Sequence, residues 1–206
     1  MEELRRRILE ALTAVAGAVP KSHRGPHLNP RSASRQVAQT YAKQSAAVSA
    51  GSAILPGIGV TIGLVADLVA VLKLQQKMIA DIAALYGLPE SLTREVMIGL
   101  LFKDTSPNAA RSLLASHAGW SKPGSGTLAV NSDTFLKRAL RKIAWGLARR
   151  MLGKTFSRII PVIGAGAAGI GSYRGTLLVA ETAMAYFESR GHDGEPASAK
   201  AALGAG

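Results

Sequence analysis

The residues that most often carry catalysis or metal binding are few in this chain, and their spacing matches no known site. His23 and His27 are four apart, but Gly25 and Pro26 between them prevent the helix that would aim two imidazoles at one metal ion. There is no cysteine, which excludes disulfides, thiolate catalysis and cysteine zinc sites. We therefore predict no catalytic residue, no bound metal and no cofactor.

Two glycine-containing segments have part of the composition of nucleotide-binding loops. GAGAAG (164–169) follows no strand pattern, which a dinucleotide-binding loop requires. Gly153-Lys154-Thr155 lacks the earlier glycine of a P-loop. The serines and threonines have no histidine partner in a recognisable arrangement. The sequence therefore predicts a protein that is not an enzyme.

The clearest functional pattern lies in FLKRALRKIAWGLARRMLGK (135–154). An apolar stripe recurs there at helical spacing: Leu136, Leu140, Ile143, Leu147 and Met151. Cations and one tryptophan stand among the other positions of this segment: Lys137, Arg138, Arg141, Lys142, Trp145, Arg149 and Arg150. A tryptophan among cations suits the headgroup layer of an anionic membrane, and it also suits stacking on nucleic-acid bases. We predict that these seven residues bind lipid or another polyanion; a solvated helix face with a partly packed tryptophan is the alternative.

The distribution of charge supports a polyanionic partner. The net charge is +12, and no acid occurs between Glu10 and Asp67 or between Asp133 and Glu181. Acid-free basic blocks of this kind favour anionic lipid or nucleic acid as a neighbour, with solubility alone as the alternative.

Two apolar segments begin alike. ILPGIG (54–59) opens a stretch that runs to residue 72 and is long enough to span a bilayer, and IIPVIG (159–164) opens a second one. Glycines four apart allow helix backbones to approach closely. We therefore predict that the following residues serve helix packing: Pro56, Gly59, Gly63, Pro161, Gly164, Gly171 and Gly175.

Each of these segments also carries one charge. Asp67 and Arg174 would lie about 16 and 20 Å along their helices from the prolines. Buried charges are tolerated chiefly in pairs, so we predict a structural charge pair between them, with a proton relay at Asp67 as the alternative. The stretch 54–72 is then a closely packed, membrane-compatible helix rather than an obligatory span. Whether 54–72 and 159–178 cross the bilayer stays open.

Periodicity and Gly/Pro breaks divide the chain into three parts. Residues 1–33 are predicted to form a short amphipathic helix, with Leu4, Ile8, Leu12 and Val15 on its apolar side, and a flexible basic arm. Residues 34–190 form a helical domain, in which Gly87 ends the first long helix. Residues 191–206 form a disordered tail. The predicted fold is all-α: a helical bundle built around two long Gly/Ala-rich apolar helices with shorter amphipathic helices.

The segments LPGIG…ADLVAVLKLQQKMIADIAALYG (55–87) and IIPVIGAGAAGIGSYRGTLLVAETAMAYF (159–187) resemble the bacterial EcsC protein family and, more distantly, the helical domain of YcjF-type inner-membrane proteins. The positions that match the family pattern are Asp67, Gln75 or Gln76, Met78, Tyr86 and Gly87. The resemblance implies a helical, membrane-associated protein of the cytoplasmic side, in a family without a well-established activity.

Together these patterns predict a non-enzymatic, membrane-associated protein of the cytoplasmic face, peripheral or integral at the inner membrane. Its expected partner is an anionic membrane surface, a membrane protein or both. A pore-forming or membrane-disrupting effector is one alternative. A nucleic-acid-binding module is a weaker one, because no known nucleic-acid motif accompanies the basic blocks.

Overall fold

The computed structural model describes residues 2–52, 60–103, 106–120, 132–155 and 161–193. These residues form helices, a short 3₁₀ turn (Pro89–Ser91) and connecting segments, with no strand among them, so the predicted all-α class is confirmed. The helices are α1 (Glu2–Ala16), α2 (Pro30–Ser52), α3 (Val60–Leu85), α4 (Arg94–Leu101), α5 (Pro107–Trp120), α6 (Ser132–Thr155) and α7 (Pro161–Asp193). Of the predicted disordered tail, 191–206, the first three residues belong instead to α7, and the rest lie outside the described residues.

The first helix matches its predicted pattern. Leu4, Ile8, Leu12 and Val15 are all buried, because their spacing of three or four places them on one side of the helix. That side packs against α3, α4 and α6. An isolated helix of this length is marginal in water, so this packing is what stabilises it.

The second helix begins earlier than predicted. The backbone N–H of Ser32 donates to the side-chain oxygen of Asn29 at 3.2 Å, and Pro30 occupies the first helical position. Asparagine before proline is a helix-start signal, since it satisfies a free backbone donor and proline has none to satisfy. Reading these residues as part of a flexible loop was therefore wrong.

The segment between α1 and α2 is bonded to α3. The Asp81 carboxylate accepts hydrogen bonds from Ser22 Oγ at 2.6 Å and from Arg24 Nε at 3.1 Å. The backbone N–H of His27 donates to the carbonyl oxygen of Leu85 at 3.0 Å, near the end of α3. These bonds replace the free basic arm of the sequence-based prediction.

Gly87 ends α3 as predicted. Its φ of +71° is a conformation that glycine adopts without strain. Its N–H donates to the Ala84 carbonyl at 3.0 Å, and the N–H of Leu88 donates to that of Ala83 at 2.9 Å. This is the Schellman pattern of helix termination.

The two long helices α3 and α7 touch each other, and α2 packs extensively against both. Near one end of the α2–α7 pair, Arg31 of α2 binds Glu188 of α7 at 3.3 Å. Toward the other end, Gly169 lies against the Ala46 carbonyl. The two helices are therefore antiparallel, and α2 packs beside the two long apolar helices, α3 and α7, that the sequence predicts.

Two buried glutamines on α3 fix its neighbours. Gln75 Nε2 donates to Thr176 Oγ1 on α7 at 3.1 Å. Gln76 Nε2 donates to the Val15 carbonyl at the end of α1 at 2.9 Å. Because a buried amide is costly without a partner, these bonds specify how α7 and α1 dock on α3.

Of the stretch 54–72, which was predicted to be a closely packed, membrane-compatible helix, residues 60–72 belong to α3, and 54–59 lie outside the described residues. Within the part of the chain that the structure covers, no helix combines the length and apolar character needed to cross a membrane.

Candidate anion-binding face of α1 and α6

The apolar stripe of α6 faces the core. Leu136, Leu140 and Ile143 are buried, and Leu147 is half-buried. The side chain of Met151 lies outside the described residues. This burial leaves the opposite side of α6 to the charged residues, as the spacing predicts.

That opposite side is a row of exposed cations: Lys137, Arg138, Arg141, Lys142 and Arg149. Trp145 lies among them and is 43% exposed. Arg141 and Arg149 are one turn from Trp145 in either direction, so all three share one helix face. Between positions 137 and 149 the row is about 18 Å long. The side chain of Arg150 lies outside the described residues.

Arg5 of α1 joins this face. Its guanidinium carbon lies 5.9 Å from the centroid of the Trp145 ring, and that of Arg149 lies 5.7 Å from it. Both distances allow cation–π attraction, which holds the two arginines beside the ring. The α1 sequence contains no signal for this position, because only the docking of α1 against α6 brings Arg5 there.

A cavity of about 240 Å³ opens between α1 and α6 at this place. The residues that line it are Arg5, Leu9, Arg141, Lys142, Ala144 and Trp145. The two arginines and the lysine supply three positive charges, while the alanine and the leucine supply apolar surface. We use the name α1–α6 cavity for this space.

Two carboxylates close to Arg5 in sequence, Glu3 and Glu10, are paired with other arginines. Glu3 accepts hydrogen bonds from Arg6 at 2.8 Å and Arg7 at 2.7 Å, and Glu10 pairs with Arg6 at 3.2 Å. The hydrogen bonds from Arg7 and Arg6 lower the pKa of Glu3. Among the ion pairs between described residues, none includes a cation that lines the α1–α6 cavity. The cavity therefore keeps its positive charge.

The predicted charge pair between Asp67 and Arg174 is not among the ion pairs of the described residues. Both carboxylate oxygens of Asp67 instead accept from Ser49 Oγ of α2 at 3.2 Å. Arg174 is exposed on α7, where water solvates its guanidinium. Since α2 packs against α3, a serine rather than an arginine meets the carboxylate.

The predicted helix-packing glycines are only partly described. Pro161 begins α7, whereas Pro56 and Gly59, and the surroundings of Gly164, lie outside the described residues. Gly63, Gly171 and Gly175 face open space, since no described atom lies within 4 Å of a Cβ built on them. Their predicted packing role is therefore not seen.

A close approach of α7 to α2 occurs at Gly169, which was not among the predicted glycines. A Cβ built on Gly169 would lie 3.2 Å from the carbonyl oxygen of Ala46 and 3.6 Å from the Cβ of Ala50. α2 and α7 are therefore in near-backbone contact at this point. The spacing of glycines along α7 does not reveal which of them faces α2.

One histidine of the N-terminal pair, His27, has a local role. His27 Nδ1 accepts a hydrogen bond from the backbone N–H of Asn29 at 3.0 Å, which helps to form the turn into α2. Across the described ranges, no three histidine, aspartate or glutamate side chains are grouped so as to hold a metal ion.

The sequence model that describes the EcsC protein family matches residues 23–191. The chain belongs to the EcsC protein family. The matched region includes residues 23–29 of the segment docked on α3 and the cationic row of α6, and it leaves α1 outside. The more distant resemblance to YcjF-type proteins stays a prediction. No curated protein and no solved structure matches the chain.

Proposed function

We propose that this EcsC-family protein is a non-enzymatic, membrane-associated protein that binds anionic lipid through the exposed face of α6, at the cytoplasmic side of the inner membrane. The observation that carries the proposal is the row of five exposed cations around the exposed ring of Trp145. Cations gain from the negative surface potential, and an amphipathic ring gains at the headgroup layer.

The size of the row fits surface binding. Each cation near an anionic surface contributes about 1 kcal/mol, so five of them give an attraction that is large compared with thermal energy. The attraction is screened over about 8 Å at physiological ionic strength. A straight row about 18 Å long allows all five cations to reach a flat surface together.

Nucleic acid is the other polyanion that this face could attract. Proteins that bind single strands place several aromatic rings along a groove so that successive bases stack. The described part of the α6 face exposes one such ring, Trp145. One ring among cations supports the lipid surface over the nucleic acid.

Vesicle flotation tests the proposal. The wild-type protein is expected to float with vesicles that contain phosphatidylglycerol. With vesicles of phosphatidylcholine alone it is expected to remain unbound at the bottom of the gradient, and high salt is expected to release it from the phosphatidylglycerol vesicles. Changing Lys137, Arg138, Arg141 and Lys142 to glutamine should weaken binding by at least about tenfold. The matched control changes the same number of exposed cations on α2 and α3 to glutamine: Arg35, Lys43, Lys73 and Lys77.

The control separates the α6 face from net charge. If the two variants, each with four substitutions, lose binding equally, the net charge of the protein and not the α6 face is responsible for binding. If the wild-type protein does not bind anionic vesicles but binds single-stranded DNA, the membrane proposal is wrong.

A further inference from the structure

We infer that the α1–α6 cavity seats the phosphate monoester headgroup of a lipid, an inference that rests on the proposed function. The row of cations on α6 by itself would bind any surface of sufficient negative charge and would not distinguish one anionic headgroup from another. The cavity adds Arg5 from a second helix, outside the region matched by the family, and so gathers three cations around one space that is open to solvent.

The three cations suit a monoester better than a diester. A phosphate monoester carries between about −1.5 and −2 charges at neutral pH and presents three terminal oxygens. A phosphodiester headgroup carries one charge and presents two. Arg5 and Arg141 offer planar forks that match phosphate oxygens, and Lys142 adds a point charge. All three are unpaired with any described carboxylate, so a ligand displaces no ion pair.

The dimensions and the walls of the cavity agree with this ligand. The α1–α6 cavity, with a volume of about 240 Å³ and open to solvent, has room for a phosphate group and the start of its glycerol. Leu9 and Ala144 provide apolar surface for the part of the lipid next to the phosphate.

Trp145 indicates that the phosphate belongs to a lipid and is not free in solution. Its exposed ring lines the cavity and also stands in the cationic row that faces the membrane in the proposed function. Cation–π contacts hold Arg5 beside the ring before any ligand binds, which lowers the cost of ordering that side chain. A headgroup would therefore enter the cavity while the protein lies on the membrane.

The test compares two anionic vesicles of equal measured surface potential. One contains phosphatidic acid, a monoester, and the other phosphatidylglycerol, a diester. We expect the wild-type protein to bind the phosphatidic acid vesicles about tenfold more tightly. Arg5→Gln should abolish this preference, while binding to phosphatidylglycerol should fall by no more than about fivefold, which is the loss expected for one surface cation.

The matched control is Arg6→Gln, the neighbouring arginine of α1, which bonds to Glu3 and does not line the α1–α6 cavity. It should keep the preference, and circular dichroism checks that both variants remain folded. Lys142→Gln is a second variant on the other helix and should also reduce the preference.

Three outcomes overturn the inference. Equal wild-type binding to the two vesicles overturns it and leaves the proposed function standing. Absence of binding to either vesicle overturns both. Release of the protein from phosphatidic acid vesicles by an equal concentration of glycerol 3-phosphate shows a site for soluble monoesters, which contradicts a lipid ligand.

Discussion

Replacing Gly169 by alanine tests the close approach of α7 to α2, and Gly175 of the same helix provides the matched control. A Cβ at Gly169 would lie 3.2 Å from the carbonyl oxygen of Ala46. A Cβ at Gly175 would meet no described atom within 4 Å. The two substitutions are chemically identical and differ only in what the new methyl group contacts.

The magnitudes follow from this difference. Alanine is favoured over glycine inside a helix by about 1 kcal/mol, so Gly175→Ala should stabilise the protein by about that amount. Gly169→Ala makes the same gain, but its methyl group presses on a backbone atom that cannot rotate away. Overpacking of this kind costs about 1–3 kcal/mol. We therefore expect Gly169→Ala to be less stable than Gly175→Ala by about 1–3 kcal/mol.

Urea denaturation of the two variants and the wild type measures this difference. The midpoints should shift without a change in slope, because the surface exposed on unfolding is nearly the same. If Gly169→Ala stabilises the protein as much as Gly175→Ala does, α2 and α7 are not in near-backbone contact. The antiparallel packing that places α7 in the bundle would then need revision.

Three further substitutions test single contacts. Arg174→Leu should change the free energy of unfolding by less than about 0.5 kcal/mol, because Arg174 is exposed and does not pair with a described acid; a loss above 1 kcal/mol in urea denaturation would contradict this. Asp81→Ala removes the hydrogen-bond acceptor of Ser22, Arg24 and Tyr41, so it should lower the free energy of unfolding by about 1–3 kcal/mol. It should also speed amide hydrogen exchange at residue 27, and unchanged exchange would refute the docking of the segment between α1 and α2 on α3. Burial, together with the Glu188 charge, raises the pKa of Tyr86 to about 12. The folded state thus holds the phenol proton more tightly than the unfolded state does. The resulting contribution to the free energy of unfolding is complete below about pH 10 and is lost as the pH rises through about 12. Tyr86→Phe should therefore flatten the alkaline fall in the denaturation midpoint, and an unchanged fall would show that other groups cause it.

Local patterns in the sequence determined the helices. Apolar residues three or four positions apart predict the buried sides of α1 and α6. An α-helix repeats every 3.6 residues whatever it packs against, so such residues share one side. Gly87 as the end of α3 is equally local, since a positive φ favours glycine. The start of α2 was readable in the same way from Asn29 and Pro30 but was interpreted as a loop.

Contacts between helices were decided only by the tertiary structure. Which glycine faces a neighbour, which partner Asp67 finds and where Arg5 lies all depend on how each helix is rotated and docked. Rotation is set by packing summed over many side chains, to which any one of these residues contributes little. The sequence alone therefore determined the cationic row of α6, which follows from one helix. The α1–α6 cavity needs two helices that are distant in the chain, and only the folded structure brings Arg5 to Trp145.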